Sequence, residues 1–287
     1  MPGPGLVVAA TMTQKTWFIT GTSRGFGREW AEAALDRGDR VAATARDISS
    51  LDDLVEKYGE AILPLQLDVT NREADFAAVA NAHRTFGQLD VVVNNAGFGH
   101  FGFVEELTED EIRAQMEKNF FGAFWVTQAA LPLLREQGSG HIIQVSSIGG
   151  ISAFPGLGAY HASKWALEGF SQALAGEVAG FGIKVTLVEP GGFATDWAGD
   201  SAKRSETLPA YAEARDSIER ERQKRIGATG PGDPQASAAA LLRIVDAEAP
   251  PLRTFFGVAP LDIAKADYAR RIETWEQWDD VAKLAQG

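Results

Sequence analysis

The chain has 287 residues, 45% hydrophobic and 23% charged, ordinary globular values that exclude a fibre or a disordered polymer. That length suits one large α/β domain or two small ones, and a chain of this size buries about 75% of its unfolded surface without covalent staples. Lys plus Arg number 27 against 39 Asp plus Glu, a net charge of −12 that repels nucleic acid as a whole but permits a local phosphate site. The absence of cysteine excludes disulfides and thiolate metal sites and fits a reducing, cytoplasmic setting.

In chain order, residues 1–13 read as a loose extension, with Met12 a plausible alternative start. Leu6–Ala10 is apolar but has no preceding Lys or Arg and is too short for a signal segment. β-branched apolar runs predict strands at Thr16–Thr20, Arg40–Ala45, Ile62–Leu67, Leu89–Val93, His141–Val145, Lys184–Val188 and Thr254–Phe256. Helical patterns fall between them at Gly25–Arg37, Ser49–Tyr58, Asn71–Phe86, Glu109–Arg135, Tyr160–Gly180 and Pro234–Asp246. This alternation implies parallel βαβ units: an α/β, doubly wound, seven-stranded parallel sheet with helices on both faces, in one domain over 14–287. The apolar stretch Phe120–Leu134 is broken by Thr127, Gln128 and Pro132, so no membrane span is expected.

Two regions leave the alternation. Gly191–Gly232 is long, polar and without a predicted strand, a candidate lid over about 192–232. Within it, Arg220–Arg225 is interleaved by Glu219 and Glu221, the pattern of a solvated helix face. A C-terminal helix over about 261–283 spaces Leu261, Ala264, Tyr268, Ile272 and Trp275 by threes and fours. Packing on the core is its simplest role, a subunit contact or pocket wall the alternative.

The first strand runs into Thr20-Gly21-Thr22-Ser23-Arg24-Gly25-Phe26-Gly27 and then a helix. Such glycines let backbone approach a pyrophosphate seated on a helix N-terminus, where free N–H groups and the dipole favour negative charge. A structural turn stays open on the glycines alone, since their spacing differs from Gly-x-Gly-x-x-Gly. The second strand ends in Thr44-Ala45-Arg46 with no carboxylate at its tip to hold a ribose 2′-hydroxyl. Arg46 and Arg24 could instead grip a 2′-phosphate, which favours NADP(H). Two solvated arginines are the alternative, and the neighbouring Asp47 counts against the phosphate reading.

Tyr160 and Lys164, four apart at a helix start, share one face. Ser147 lies thirteen residues before Tyr160, just past a strand at the sheet edge where open parallel sheets bind ligands, and Asn119 sits in the preceding long helix. A carbonyl that accepts hydride needs a proton donor. A tyrosine near 10 must fall by about 3 units, roughly 4 kcal/mol, to serve at neutral pH. One ammonium about 4 Å away supplies on the order of 4 kcal/mol at an effective dielectric of 20. Lys164 is therefore expected to acidify Tyr160, with Ser147 as a second donor to the developing alkoxide.

With these motifs the chain resembles the short-chain dehydrogenases/reductases, from Lys15 to Pro190-Gly191. The matching segments are Thr20-Gly21-x-x-x-Gly25-x-Gly27, Asp68 after the third strand, Asn94-Asn95-Ala96-Gly97, Asn119, Ser147, Tyr160-x-x-x-Lys164 and Pro190-Gly191-x-x-x-Thr195. The resemblance implies a Rossmann fold and an NADP-dependent oxidoreductase with catalytic Asn119, Ser147, Tyr160 and Lys164. Its implied cofactor contacts are Gly21, Ser23, Arg24, Gly25, Phe26, Gly27, Arg46, Asp68, Val69, Asn95, Ala96, Gly97, Tyr160, Lys164, Pro190, Gly191 and Thr195. Asp68 and Val69 would meet the adenine, the backbone of Asn95–Gly97 would flank its ribose, and Thr195 would anchor the carboxamide. Asn119 would support a water-linked relay to Lys164, which also holds the ribose. No metal is implied.

Asn119-Phe120-Phe121-Gly122 and Lys164-Trp165-Ala166-Leu167-Glu168-Gly169-Phe170 look most like the hydroxysteroid and retinol dehydrogenase branch, implying a small apolar alcohol, ketone or aldehyde as substrate. The family also implies a homodimer or homotetramer through the two long central helices. His100, Phe101, Phe154, Leu157, Phe193, Trp197 and Tyr211 are candidate pocket residues, each equally readable as core packing or lid anchoring. Two other readings are a non-catalytic NADP(H)-sensing protein, which would need no proton donor, and an interaction protein built on the same fold.

Overall fold

The computed structural model describes residues 14–199 and 202–287; the extension expected over 1–13, with Met12, lies outside the described residues. Seven strands form one parallel sheet: β1 (Thr16–Ile19), β2 (Arg40–Ala45), β3 (Ile62–Gln66), β4 (Val91–Asn94), β5 (Gly140–Val145), β6 (Ile183–Pro190) and β7 (Arg253–Phe256). Their spatial order is β3-β2-β1-β4-β5-β6-β7. Chain direction across the sheet reverses between β1 and β4, so the crevice beyond their C-terminal ends is where a ligand belongs.

Side-chain alternation along each strand feeds two cores. From β1, Trp17 and Ile19 pack against α1 (Gly25–Asp36), through Trp30, Ala31 and Leu35. Phe18 faces the other way and joins α3 (Arg72–Phe86) and the long helices near the sheet centre. Every residue of β1 is buried, as expected for a strand covered on both faces.

Several expected elements change shape. The helix expected over Ser49–Tyr58 opens as a 3-10 turn, Ile48–Leu51, before α2 (Asp52–Tyr58), because Asp47 caps it by accepting from Ser49 N at 3.1 Å. Glu109–Arg135 is α4 (Glu109–Met116), a π turn over Glu117–Phe121, and α5 (Gly122–Gln137). The π turn inserts one residue into the helical ladder and turns Asn119 inward, the use often made of such bulges at functional sites. The helix expected at Tyr160–Gly180 is α6 (Gly158–Val178), closed by a 3-10 turn at Ala179–Phe181. The fourth strand starts two residues later than expected, at Val91.

The segment after β6 is not strandless. Lys203–Arg204 pairs in parallel with His100–Phe101, and the same segment carries α7 (Ala212–Thr229). Its two ends meet: Phe193 and Gly232 form a bridge, and Gly232 N donates to Gly192 O at 2.9 Å. The excursion leaves the sheet and returns at one neck. Glu106 anchors its middle, accepting from Leu208 N at 2.8 Å and pairing with Arg215, while Tyr211 donates to Glu105 and stacks on Phe103. Helix α8 (Pro234–Asp246) then returns to pack on α1.

The tail is bent rather than one helix. It comprises α9 (Pro260–Gln277) and α10 (Asp279–Gln286), divided at Trp278. Only Ala264 of the expected stripe is buried; Leu261, Tyr268, Ile272 and Trp275 are exposed, so core packing is not the role of this face.

One buried acid gives a stability test. Asp75 on α3 is fully buried, neither carboxyl oxygen has a hydrogen-bond partner, and burial, then the charge of Asp68, pushes its pKa up to about 8. A carboxyl raised in the folded state loses stability as pH climbs from its unfolded value near 4 toward 8. Asp75→Asn should therefore melt higher than the wild type at pH 8, by about 2–4 °C for each kcal/mol removed, and the gap should close near pH 4. Melting curves at both pH values check this.

Candidate active site

The glycine turn is built to receive an anion. Gly21 and Gly25 have φ of +71° and +62°, and a Cβ on Gly27 would overlap the Gly21 carbonyl and lie 2.5 Å from Asn95 Nδ2. The N-terminus of α1 has no side-chain cap and no acidic residue in its first turn, so its N–H groups are open to a phosphate. Asn95 staples the turn to the end of β4 by donating to Thr20 O and Gly21 O at 2.9 and 3.0 Å. Thr20 Oγ1 accepts from Asn95 N and Ala96 N. Gly27→Ala should open this turn at a cost of about 1–3 kcal/mol and remove dinucleotide binding; calorimetry and NADPH fluorescence titration would measure both.

Cations gather beside the turn. Burial lowers the pKa of Lys118, and the charges of Arg46, Arg24 and Lys203 lower it further, with Asp68 the opposing partner. Despite partial burial, the carboxyl of Asp68 is held below its usual range by Thr70, Lys118 and Arg46. Asp47 accepts from Ser49 N and Ser49 Oγ at 3.1 and 2.8 Å, and forms no ion pair with Arg46 among the described residues. Arg24 pairs with Asp196 at 2.9 Å. Val69 is buried and fills the space in front of Gly122, where a Cβ would lie 2.7 Å from its Cγ2. Lys118 went unrecognised in the sequence; a basic residue at the centre of a helical pattern carries no signal until the π turn aims it.

The four candidate catalytic residues converge at the end of β5. Ser147 caps the turn Ile148–Gly150, its hydroxyl accepting from Gly149 N at 3.0 Å and also bonding the Tyr160 phenol. Tyr160 and Lys164 are 5% and 6% exposed on α6. Lys164 Nζ donates to Val145 O at 2.7 Å and lies 5.9 Å from the centre of the Tyr160 ring. Burial pushes the phenol up to about 12, against the pull of Ser147, and pushes the amine down to about 8. The phenol's shift thus runs opposite to the expected acidification, because desolvation outweighs the pull of Ser147.

Asn119 is also buried and brought into the group, although its side chain is spent on the backbone of Phe98 and on Ser163. Its Nδ2 donates to Phe98 O at 3.0 Å and its Oδ1 accepts from Phe98 N at 3.0 Å, with a second bond to Ser163. His161 holds the loop in front of α6: Nδ1 donates to Gly149 O at 2.7 Å and Nε2 accepts from Phe154 N at 2.9 Å, which assigns the neutral tautomer.

The segment after β6 closes over this group. Gly191 N donates to Phe256 O at 2.9 Å, and Thr195 approaches Gly25, whose Cβ would lie 3.8 Å from Thr195 Cγ2. Trp197 covers the Tyr160 ring at 4.9 Å between centroids and meets Phe101 at 5.5 Å. Of the other pocket candidates, Phe154 rests on His161 and Leu157 bridges to Gly102. Three lie elsewhere. Phe193 packs on Phe26, Tyr211 stacks on Phe103, and His100 bonds Ser205 at 2.8 Å.

A glycine turn before an uncapped helix, together with a tyrosine, lysine and serine at the same sheet edge, belongs to few folds. Residues 15–206 match the family model described as short chain dehydrogenase. The chain belongs to that family. It is 45% identical over 251 residues to oxidoreductase BOA17 of Botryotinia fuckeliana, covering 87% of this chain and 91% of the relative. It is 40% identical over 244 residues to a 3-ketodihydrosphingosine reductase of Bacteroides thetaiotaomicron, covering 83% and 86% of the two chains. The crystal structure of a short-chain dehydrogenase from Streptomyces avermitilis superposes with a TM-score of 0.88 at 42% identity, over 96% of this chain and 99% of that one. The protein is thus a short-chain dehydrogenase-type oxidoreductase with the family's nicotinamide-binding fold. No helix among the described residues is long and apolar enough to cross a membrane, and no cluster there could hold a metal.

Proposed function

We propose that the protein is an NADP(H)-dependent carbonyl reductase or alcohol dehydrogenase acting on small apolar ketones, aldehydes or alcohols. The observation that carries this reading is the buried Tyr160 phenol, bonded to Ser147 and backed by Lys164 beyond the C-terminal end of β5. Bound nicotinamide supplies the hydride; the chain supplies the rest. Tyr160, protonated across the neutral range, donates to the alkoxide oxygen in reduction, and Ser147 hydrogen-bonds that oxygen as its charge grows. Lys164 holds the ribose and replaces the proton that Tyr160 gives up. Asn119 positions Phe98, and the π turn carries its backbone toward the relay.

Arg24, Arg46 and Lys118 support preference for a 2′-phosphate, while Asp68, Val69 and Asn95–Gly97 lie where adenosine would bind. The remaining contacts would come from Ser23 and Phe26 in the glycine turn, Pro190-Gly191 and Thr195. Trp197 and Phe101, both aromatic and next to Tyr160, support an apolar substrate. So does the keto-lipid named for the Bacteroides relative. The neck-closed segment, 192–232, acts as the lid. Half-buried aromatics on α5 and α6 (Phe124, Trp125 and Phe170) support a homodimer or homotetramer through those helices. A cytoplasmic compartment, suggested by the cysteine-free chain, completes the reading. Screening NADPH oxidation spectrophotometrically against ketones and aldehydes tests it; no oxidation with any of them overturns it.

A further inference from the structure

The turn that follows Ser147 is held from two sides. Inside, it is tied locally: Gly150 N donates to Ser147 O at 2.8 Å, and Ile151 N and Ser152 N donate to Ile148 O at 3.0 and 2.8 Å. His161 on α6 grips Gly149 O and Phe154 N. Outside, the turn meets α9, and that contact is polar. Ser152 is 3% exposed, and its hydroxyl donates to Asp267 Oδ2 at 3.2 Å. Arg271 Nη2 donates to Ile151 O at 3.3 Å and pairs with the same Asp267 oxygen at 2.7 Å. The Arg271 guanidinium also lies over the Trp165 ring of α6, 4.8 Å from its centre, which ties the residue beside Lys164 into the same group.

This face of α9 is separate from the exposed apolar stripe. Pro260, Ala264, Asp267 and Arg271 follow one another at four, three and four residues and so share one side of the helix. Pro260 seats the first turn, its Cγ 2.9 Å from where a Gly191 Cβ would stand, and Ala264 clusters with Ile148 and Ile151. Around those apolar contacts the packing is incomplete. A cleft of about 240 Å³ lies between β7 and α9, with Ile151, Phe255, Ala264 and Tyr268 among its walls. A void leaves its lining without neighbours on one side, so apolar packing alone would let the turn slide; its two hydrogen bonds to α9 set the position. Burial works against the charge of Asp267, but the Arg270 hydrogen bond and the charge of Arg271 hold its carboxyl below the usual range, so the acceptor is ionised at neutral pH.

We propose that Asp267 and Arg271 of α9 are positioning residues for the reaction, holding the turn over 148–152 so that the Ser147 hydroxyl meets the reacting oxygen. This rests on the hydride-transfer reading above. The Ser147 oxygen accepts from Gly149 N at 3.0 Å, which leaves its hydrogen for the phenol or for the substrate oxygen. The direction of that O–H follows from where Gly149 N stands, and Gly149 N moves with the turn. An outward slide of Ile151 and Ser152 would therefore swing the Ser147 hydroxyl away from the developing alkoxide. A misplacement of about 1 Å costs on the order of 10²-fold in rate. Cofactor binding draws on the glycine turn before α1 instead and should not follow. The C-terminal helix is thereby part of the catalytic apparatus, acting through Ser147.

Two measurements on Asp267→Ala test this. Amide hydrogen exchange should speed up at Gly150, Ile151 and Ser152, whose N–H groups close the turn; unchanged exchange overturns the clamp, with no turnover required. In NADPH-dependent ketone reduction, kcat should fall about tenfold while the KM for NADPH stays the same. The fall must run through Ser147. In a Ser147→Ala background, assayed at raised enzyme concentration, adding Asp267→Ala should change kcat by less than about twofold, because no hydroxyl remains to misplace. An unchanged kcat in Asp267→Ala, or equal falls in both backgrounds, overturns the positioning role, since a merely structural residue would act alike in both. If Asp267→Ala does not fold, Ser152→Ala cuts the same hydrogen bond from the loop side and should give the same selective fall; a normal kcat there overturns the proposal. A wild type whose exchange depends on Asp267 but which reduces no carbonyl refutes the hydride-transfer reading, and the positioning role with it, while the clamp stands.

Discussion

Tyr160→Phe should reduce turnover by about 10³-fold or more while NADPH still binds with near-normal affinity. The ring would keep its contact with Trp197, and the change removes one buried hydroxyl together with its bond to Ser147. General acid catalysis by one positioned group contributes roughly 10²–10⁴-fold. Rate measurements alongside NADPH fluorescence titration separate lost chemistry from lost binding; a fully active phenylalanine variant would sink the assignment. The pH dependence has a definite sign. With the phenol up at about 12, it stays protonated throughout the neutral range, so the limiting group is Lys164, pushed down to about 8. Reduction needs its ammonium and should slow as pH rises through 8. Alcohol oxidation needs a neutral Lys164 to receive the proton that Tyr160 passes on, and should accelerate over the same range.

The second large effect concerns cofactor choice. Removing Arg24 and Arg46 together by alanine should lower the NADPH-over-NADH ratio of kcat/KM by about 10²-fold. Hydrogen bonds to charged groups contribute roughly 1.5–3 kcal/mol each, and NADH lacks the phosphate that would use them. Lys118→Ala should move the ratio in the same direction by less, because an ammonium offers the phosphate a point charge where each guanidinium offers a two-pronged grip. A ratio unaffected by the double substitution would remove the arginines from the argument. Arg24 also spans to Asp196, so its loss would loosen the segment carrying Trp197, and the single variants will show which part of the effect is cofactor recognition.

Much of this was legible in the sequence, for identifiable reasons. Strands such as Val91–Asn94, apolar up to its last residue, read as near-continuous apolar runs because helices cover both their faces, and that pattern survives without any three-dimensional information. Tyr160 and Lys164 are paired by helix periodicity alone. The illegible parts depend on what surrounds a group. The direction of the Tyr160 shift turns on burial, which four residues of local sequence do not encode. The π turn at Glu117–Phe121 appears in sequence only as unbroken helix, because an extra residue in a ladder leaves no compositional mark. Asp267 and Arg271 read as ordinary charged positions on an amphipathic helix until α9 lies against the turn after Ser147. The exposed α9 stripe reads as amphipathic, yet its apolar side turns outward.

The single neck at Phe193 and Gly232 has an evolutionary consequence. An insert whose two stems are already hydrogen-bonded can be exchanged for another without disturbing strand order, and loop-closure entropy changes only slowly with its length. New clients could therefore be recruited by rewriting one detachable cassette, while the proton chemistry beneath stays untouched.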